Sequence, residues 1–138
     1  MLWKIVELPT ITDEVRGGSL IIAEINKVTG NAFTAARRVY YIINTENQQI
    51  SRGGHYHPVG GKQEILLALS GKAIFDLHGP GACQEGLILD RPTQALFIPG
   101  NVWHAVKLDP GTILVSIAST NYDAKESIPD LPFCSCKR

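Results

Sequence analysis

The chain has 138 residues, of which 44% are apolar and 19% charged, with thirteen basic and thirteen acidic side chains and no formal net charge. That apolar fraction is too high for a disordered chain, and the length suits one domain with a buried core. The balanced charge, with no lysine- or arginine-rich run, lacks the basic face that phosphate-driven nucleic-acid binding requires.

Apolar stretches such as residues 65–69 and 113–115 fall far short of the ~20 residues of a membrane-spanning helix. Glu7 and Pro9 interrupt the first segment too early for the apolar region of a signal peptide. Cys83, Cys134 and Cys136 form an odd, sparse set for a disulfide framework. The expectation is a cytoplasmic protein, in a reducing compartment, that neither enters a membrane nor binds nucleic acid.

In chain order, breaks fall at Gly17-Gly18, Gly30-Asn31, Gly53-Gly54, Gly60-Gly61, Gly71, Gly79-Pro80-Gly81, Pro92, Pro99-Gly100-Asn101 and Pro110-Gly111. Glycine and asparagine supply positive φ there, and proline fixes φ for a tight turn. Between the breaks lie runs rich in Ile, Leu, Val and aromatic residues at 19–26, 37–44, 64–70, 72–78, 86–90, 94–98, 103–108 and 112–118. Each has the length of a strand, and none sustains a helical period apart from a short turn at 122–128. Short strands at roughly 8–12-residue spacing predict one all-β domain over 1–138, an antiparallel sandwich or barrel.

Four histidines carry the chemical signal. His55 and His57 are two apart, so on a strand both rings project from one face with Tyr56 opposite. A turn at Pro58-Val59-Gly60-Gly61-Lys62 would bring Glu64 back toward His57. Some forty residues later Pro99-Gly100-Asn101-Val102-Trp103-His104 is a second turn that delivers His104 to a strand. Taken singly, each has a plainer reading: His55-x-His57 as solvated surface, His104 as a core histidine, Glu64 as an edge charge. His78, before Gly79-Pro80-Gly81, reads as a loop histidine without a role. Cys134-Ser135-Cys136 reads as two free thiols rather than a soft-metal site.

The order His55-x-His57, Glu64, Gly71, then Pro99 and His104 resembles the two short motifs of the cupin superfamily. The resemblance implies a double-stranded β-helix, a jelly-roll barrel of short antiparallel strands whose mouth is a small-molecule site. Asn101 stands where those motifs usually carry glycine. A closer similarity is to the sugar-nucleotide 3,4-ketoisomerases. It is carried by Glu7-Leu8-Pro9, Asp13, Arg16-Gly17, Leu20, Glu24 and Phe33. It continues through Arg38-Val39-Tyr40-Tyr41-Ile42, Arg52-Gly53, His55-Tyr56-His57, Leu69-Ser70-Gly71, Pro99, Val102-Trp103-His104, Ala118-Ser119 and Tyr122-Asp123. That family converts dTDP-4-keto-6-deoxyglucose to its 3-keto isomer, which feeds deoxyamino sugars into surface polysaccharides. The chain departs from it at Glu64, where glutamine is usual, and in a segment about two residues longer after His57.

The resemblance implies His55 and His57 as catalytic residues, because moving a carbonyl from C4 to C3 is acid–base work near neutral pH. Tyr40 joins them to manage the oxygen protons. Arg16, Arg38 and Arg52 are assigned to the diphosphate, which favours bidentate arginine; Glu64, Trp103 and His104 complete the substrate set. No cofactor is expected. The competing reading is a metal-dependent isomerase or dioxygenase with a divalent transition metal on His55, His57, Glu64 and His104. A third is a non-catalytic sugar-binding cupin. The expected partners are a nucleotide sugar and, implied by the family, a second copy in a homodimer with exchanged N-terminal strands.

Overall fold

A computed structural model describes residues 2–33, 35–58, 61–123, 125, 128 and 129. Its elements in order are β1 (Lys4–Glu7), β2 (Thr10–Thr12), β3 (Ser19–Ile21), α1 (Ile25–Thr29), β4 (Arg38–Ile43), β5 (Ile50–His55), β6 (Glu64–Ser70), β7 (Ala73–Gly79), β8 (Ala82–Leu89), β9 (Gln94–Ile98), β10 (Trp103–Leu108) and β11 (Ile113–Ala118). All strand pairs are antiparallel. A five-stranded sheet runs β1-β9-β6-β11-β4 and a four-stranded sheet β5-β10-β7-β8, with β2 and β3 as a separate hairpin. No helix among the described residues is long and apolar enough to cross a membrane.

Period-two alternation places the core. Leu66, Ala68, Leu96, Ile98 and Leu114 of the larger sheet meet Ala73, Phe75, Leu77, Leu87, Leu89, Val106 and Leu108 of the smaller one. Each fully buried Leu or Phe of such a set contributes about 1.5–3 kcal/mol. The intervening residues Ile65, Ala95 and Phe97 point the other way, where Leu8, Val28 and Phe33 cover them. The packed sheets form the predicted jelly roll, open at one end.

The sequence reading differs in four places. The run 19–26 is not one strand: β3 ends at Ile21 and α1 follows, closed by Gly30 in the left-handed conformation. One turn and a half is too short to show a helical period. Strands β1, β2 and β5 were not among the predicted runs, because they are short or, in β5, interrupted by Gly53-Gly54. His78 is not a loop residue: the β7–β8 hairpin extends to Gly79, and His78 is fully buried against Trp103. Cys83 is disulfide-bonded rather than reduced; Cys134 and Cys136, read as free thiols, lie outside the described residues. Of the turn expected at 122–128, residues 124, 126 and 127 also lie outside them, and Ile128 forms an isolated bridge with Tyr56.

One irregularity positions the site. The pairing of β5 with β10 shifts register between His104 and Ala105, so His55 lies opposite His104 while Arg52 lies opposite Val106. Arg52 and His55 are an odd number of residues apart, and a regular strand would put them on opposite faces. The bulge at Gly53 and Gly54, both at φ +83, turns them to the same side. A Cβ on Gly53 would come 2.9 Å from the His104 carbonyl oxygen. Gly53→Ala therefore adds both left-handed strain and a backbone clash. Chemical denaturation should show a loss of about 1–3 kcal/mol, larger than the effect of alanine at Gly81, which is in open space.

Candidate active site

The inner faces of both sheets bring the polar residues to one end of the sandwich. On the larger sheet Arg38, Ala118, Glu64 and Ile98 form one cross-strand row, and Tyr40, Ser116, Leu66 and Leu96 the next. On the smaller sheet His55, His104 and Leu77 form a row, followed by Arg52, Val106 and Phe75. Between them lies a cavity of about 500 Å³. Arg38, Tyr40, Arg52, His55, Glu64, His104 and Tyr122 supply its polar lining, and Leu66, Phe75, Val106 and Leu114 part of its apolar wall.

Glu64 is only 2% exposed, and a carboxylate this deep needs hydrogen-bonding partners. One oxygen has hydrogen bonds and the other has charge partners. Oε2 accepts from the Tyr40 hydroxyl at 2.5 Å and the Ser116 hydroxyl at 2.6 Å. Oε1 faces the Lys62 ammonium at 2.8 Å and His104 Nε2 at 3.6 Å, as charge contacts rather than aligned hydrogen bonds. Burial pushes the Glu64 carboxyl up, but His104 and Lys62 outweigh it and hold the group well below the usual carboxylate range. Burial and then the Glu64 charge push the Tyr40 hydroxyl far above its ordinary value, so it stays protonated and donates. His104 Nδ1 lies 3.2 Å from the Val102 carbonyl. A carbonyl only accepts, so Nδ1 carries hydrogen and Nε2 is the nitrogen turned to Glu64.

The three imidazoles form a cluster. The His55 ring is edge-on to His57 at 5.1 Å and to His104 at 5.0 Å, while His57 and His104 are 6.2 Å apart. His55 ends β5 and lines the cavity; His57 lies two residues beyond, behind it. The N–H of Asn101 donates to the His57 carbonyl, tying the two motif loops together. Asn101 has φ +63, the left-handed region that asparagine tolerates, which is why it can stand where glycine is usual. Both ring nitrogens of His57 are buried without a hydrogen-bond partner, an unmet polar demand of the sort that marks functional sites. Burial, followed by His104 and Lys62, lowers His55 to about 4. Burial, followed by Lys62 and His104, does the same to His57. Both rings are neutral at pH 7.

Arg38 holds its guanidinium between the Tyr40 ring, 5.2 Å away, and the Tyr122 ring, 5.5 Å away. Its Nε is buried with no hydrogen-bond partner. Arg52 sits exposed on the cavity wall. Two of the residues assigned to substrate are elsewhere in the chain. Trp103 precedes His104 on β10 and so faces away, its ring edge-on to His78 at 5.4 Å and its Nε1 donating to the Pro129 carbonyl. Arg16 is 87% exposed and paired with Asp13 at 2.6 Å, outside the cavity lining. Sequence reasoning missed Ser116, although a lone hydroxyl at an inward position of an apolar strand was a signal. It also missed Tyr122 as part of the cavity wall and Lys62, which was read as part of a turn.

Two residues of the alternative metal set, Glu64 and His104, already have protein partners. Among the described residues no group of three or more His, Cys, Asp or Glu is arranged to hold a metal ion. Glu64, the one carboxylate of the set, already accepts from two hydroxyls and is ion-paired with the Lys62 ammonium. A cation at Oε1 would stand against that fixed positive charge.

The family profile described as "FdtA: WxcM-like, C-terminal" matches residues 1–134. No protein of curated function matches the sequence. Solved structures do. The WlaRB TDP-quinovose 3,4-ketoisomerase from Campylobacter jejuni is 33% identical with a TM-score of 0.78, covering 93% of this chain and 92% of its own. A 3,4-ketoisomerase from Helicobacter canadensis is 31% identical with a TM-score of 0.77, covering 93% and 90%. A variant of the 3,4-ketoisomerase QdtA from Thermoanaerobacterium thermosaccharolyticum, in complex with TDP-4-keto-6-deoxyglucose, is 26% identical with a TM-score of 0.75, covering 95% and 89%. With the profile spanning nearly the whole sequence and two ketoisomerases above 30% identity at full length, the chain belongs to the FdtA, WxcM-like family and is an isomerase of the 3,4-ketoisomerase type.

Proposed function

We propose that this isomerase moves the carbonyl of a TDP-4-keto-6-deoxyhexose from C4 to C3 by proton transfer through an enediol, without a metal. The observation that carries the reading is the pair of neutral imidazoles, His55 on the cavity wall and His57 edge-on behind it with both nitrogens unpartnered. In the first half-reaction C3 loses a proton and the oxygen on C4 gains one. In the second, C4 takes up a proton and the oxygen on C3 releases one. A neutral ring accepts the first of these and returns it as an acid, and two adjoining rings let carbon and oxygen protons be handled separately. The Tyr40 hydroxyl, fixed on Glu64, is the third proton-bearing group at the wall.

Arg38 and Arg52 are the cavity's cations and suit the diphosphate. A nucleotide sugar is favoured by the TDP-sugar names and ligand of the solved relatives. The 3-keto product is set up for amination in deoxyamino-sugar synthesis for surface polysaccharides, which places the enzyme with cytoplasmic nucleotide sugars. The absence of metal is supported by the Lys62 ammonium on Glu64.

A homodimer is supported by the outer face of the larger sheet. Val39, Tyr41 and Ile43 alternate with the inward residues of β4 and are 61%, 65% and 48% exposed. Such a row at a sheet edge calls for cover, and the family resemblance names a second copy. In the chain itself β1 pairs with its own β9.

With TDP-4-keto-6-deoxyglucose as substrate and NMR of the sugar as readout, His55→Asn and His57→Asn should each lower kcat by roughly 10²–10⁴, and substrate binding without conversion by the wild type would overturn the reading. The pH profile of kcat/KM should keep its plateau below pH 6.5. Rings lowered to about 4 become protonated, and lose their base function, only as pH falls through that value. A limb near 6.5 would contradict the buried, neutral pair. Val39→Glu with Tyr41→Glu should convert a sedimenting dimer to monomer while leaving the far-UV spectrum unchanged.

A further inference from the structure

None of the steps above uses Lys62, yet its placement is unusual for a lysine. It follows the turn in which the Gly61 N–H donates to the Pro58 carbonyl at 2.8 Å. A Cβ on Gly61 would lie 2.9 Å from that oxygen, so the turn is closed as tightly as a glycine permits. The chain then enters the interior, and the Lys62 side chain is left only 9% exposed. Lysines are almost never buried this far unless paired, and desolvating an ammonium costs several kcal/mol per ion. The partner is Glu64 at 2.8 Å, with the Tyr40 ring 5.3 Å from the same nitrogen. Lys62 thus touches two residues of the cavity wall without lining the cavity itself.

We propose that Lys62 is a positioning residue of the isomerase reaction: as the fixed counter-ion of Glu64, packed on the Tyr40 ring, it locks the carboxylate that aims the Tyr40 hydroxyl and faces His104. It supplies the positive charge that balances the buried carboxylate. The glutamate at this position then has a physical partner. A glutamine needs no counter-ion, whereas a buried glutamate does, and Lys62 supplies one at 2.8 Å. The same charge is among the causes that keep His55 and His57 unprotonated. The inference rests on the isomerase reading above.

The test is a double-mutant cycle on the full-length protein with TDP-4-keto-6-deoxyglucose. Lys62→Met should lower kcat on the order of a hundred-fold, the effect of misplacing a reacting group by about an ångström, with KM changed less than about threefold. Lys62→Arg should recover roughly tenfold of that loss. In a Glu64→Gln background, where the amide carries no charge, adding Lys62→Met should lower kcat by less than about threefold. Melting should follow the same pattern, with a drop of roughly 10 °C for Lys62→Met alone and a much smaller one in the double variant. If Lys62→Met does not fold, the Arg variant and the comparison of the double variant with Glu64→Gln decide the question. The inference is overturned if the wild type isomerises and Lys62→Met matches it within threefold. It is also overturned if the substitution is equally damaging in both backgrounds, or if only KM rises. A wild type that does not isomerise overturns the isomerase assignment, and this inference with it.

Discussion

The site is organised around an almost completely buried carboxylate. Glu64 accepts from Tyr40 and Ser116 on one oxygen and faces Lys62 and His104 on the other, at 2% exposure. An unpaired charge at that depth would be costly enough to neutralise or unfold the site. Because it is paired from both sheets, it fixes four residues: Tyr40, Lys62, His104 and Ser116. Tyr40 is held as a donor, His104 is held with Nε2 inward, and the Lys62 ammonium is paired in the interior. Remove the carboxylate and each of those orientations loses its reason.

Around this anchor the sheets divide the labour. The larger sheet supplies Arg38, Tyr40, Glu64 and Ser116 through three strands whose pairing is regular at those residues, the β11–β6 shift falling farther along at Ile113. Their register is therefore set by alternation and by the buried apolar residues on either side. The smaller sheet supplies His55, His104 and Arg52, and there regular alternation is not enough. The glycine bulge in β5 turns two residues of opposite parity to one face. A bulge beside a site is a means of re-aiming side chains that a flat strand cannot achieve. The left-handed Asn101 and its bond to the His57 carbonyl play the same part at the other motif loop.

Electrostatically the cavity is arranged so that the bases stay empty. His55 and His57 are desolvated and near positive charge, which favours the neutral imidazole, while the carboxylate that could have drawn protons to them is already satisfied by its own donors. A ketone-bearing ligand entering such a site meets proton acceptors and a tyrosine donor, with arginines at the wall for its anionic part. That combination is suited to enolisation, in which protons move and no other atom is exchanged.

Much of this was legible in the chain itself. Turn residues at even intervals and strand-length apolar runs depend on local conformational preference, and so they gave the all-β class. The order of His55, His57, Glu64, Pro99 and His104 resembled cupin motifs, and the structure brings His55, His57, Glu64 and His104 together with Tyr40 and Arg38. Tertiary structure alone decided the rest. Parity along a strand says which residues share a face, but not where a bulge reverses it, so the joint placement of Arg52 and His55 had to be seen. Nor does parity say which face is inward, and Trp103 proved to be on the other side from His104. Lys62 looked like one more polar residue in a glycine turn. Whether a lysine is solvated or buried is settled by the charge waiting opposite it, and that charge, Glu64, takes its own position from strands far away in sequence.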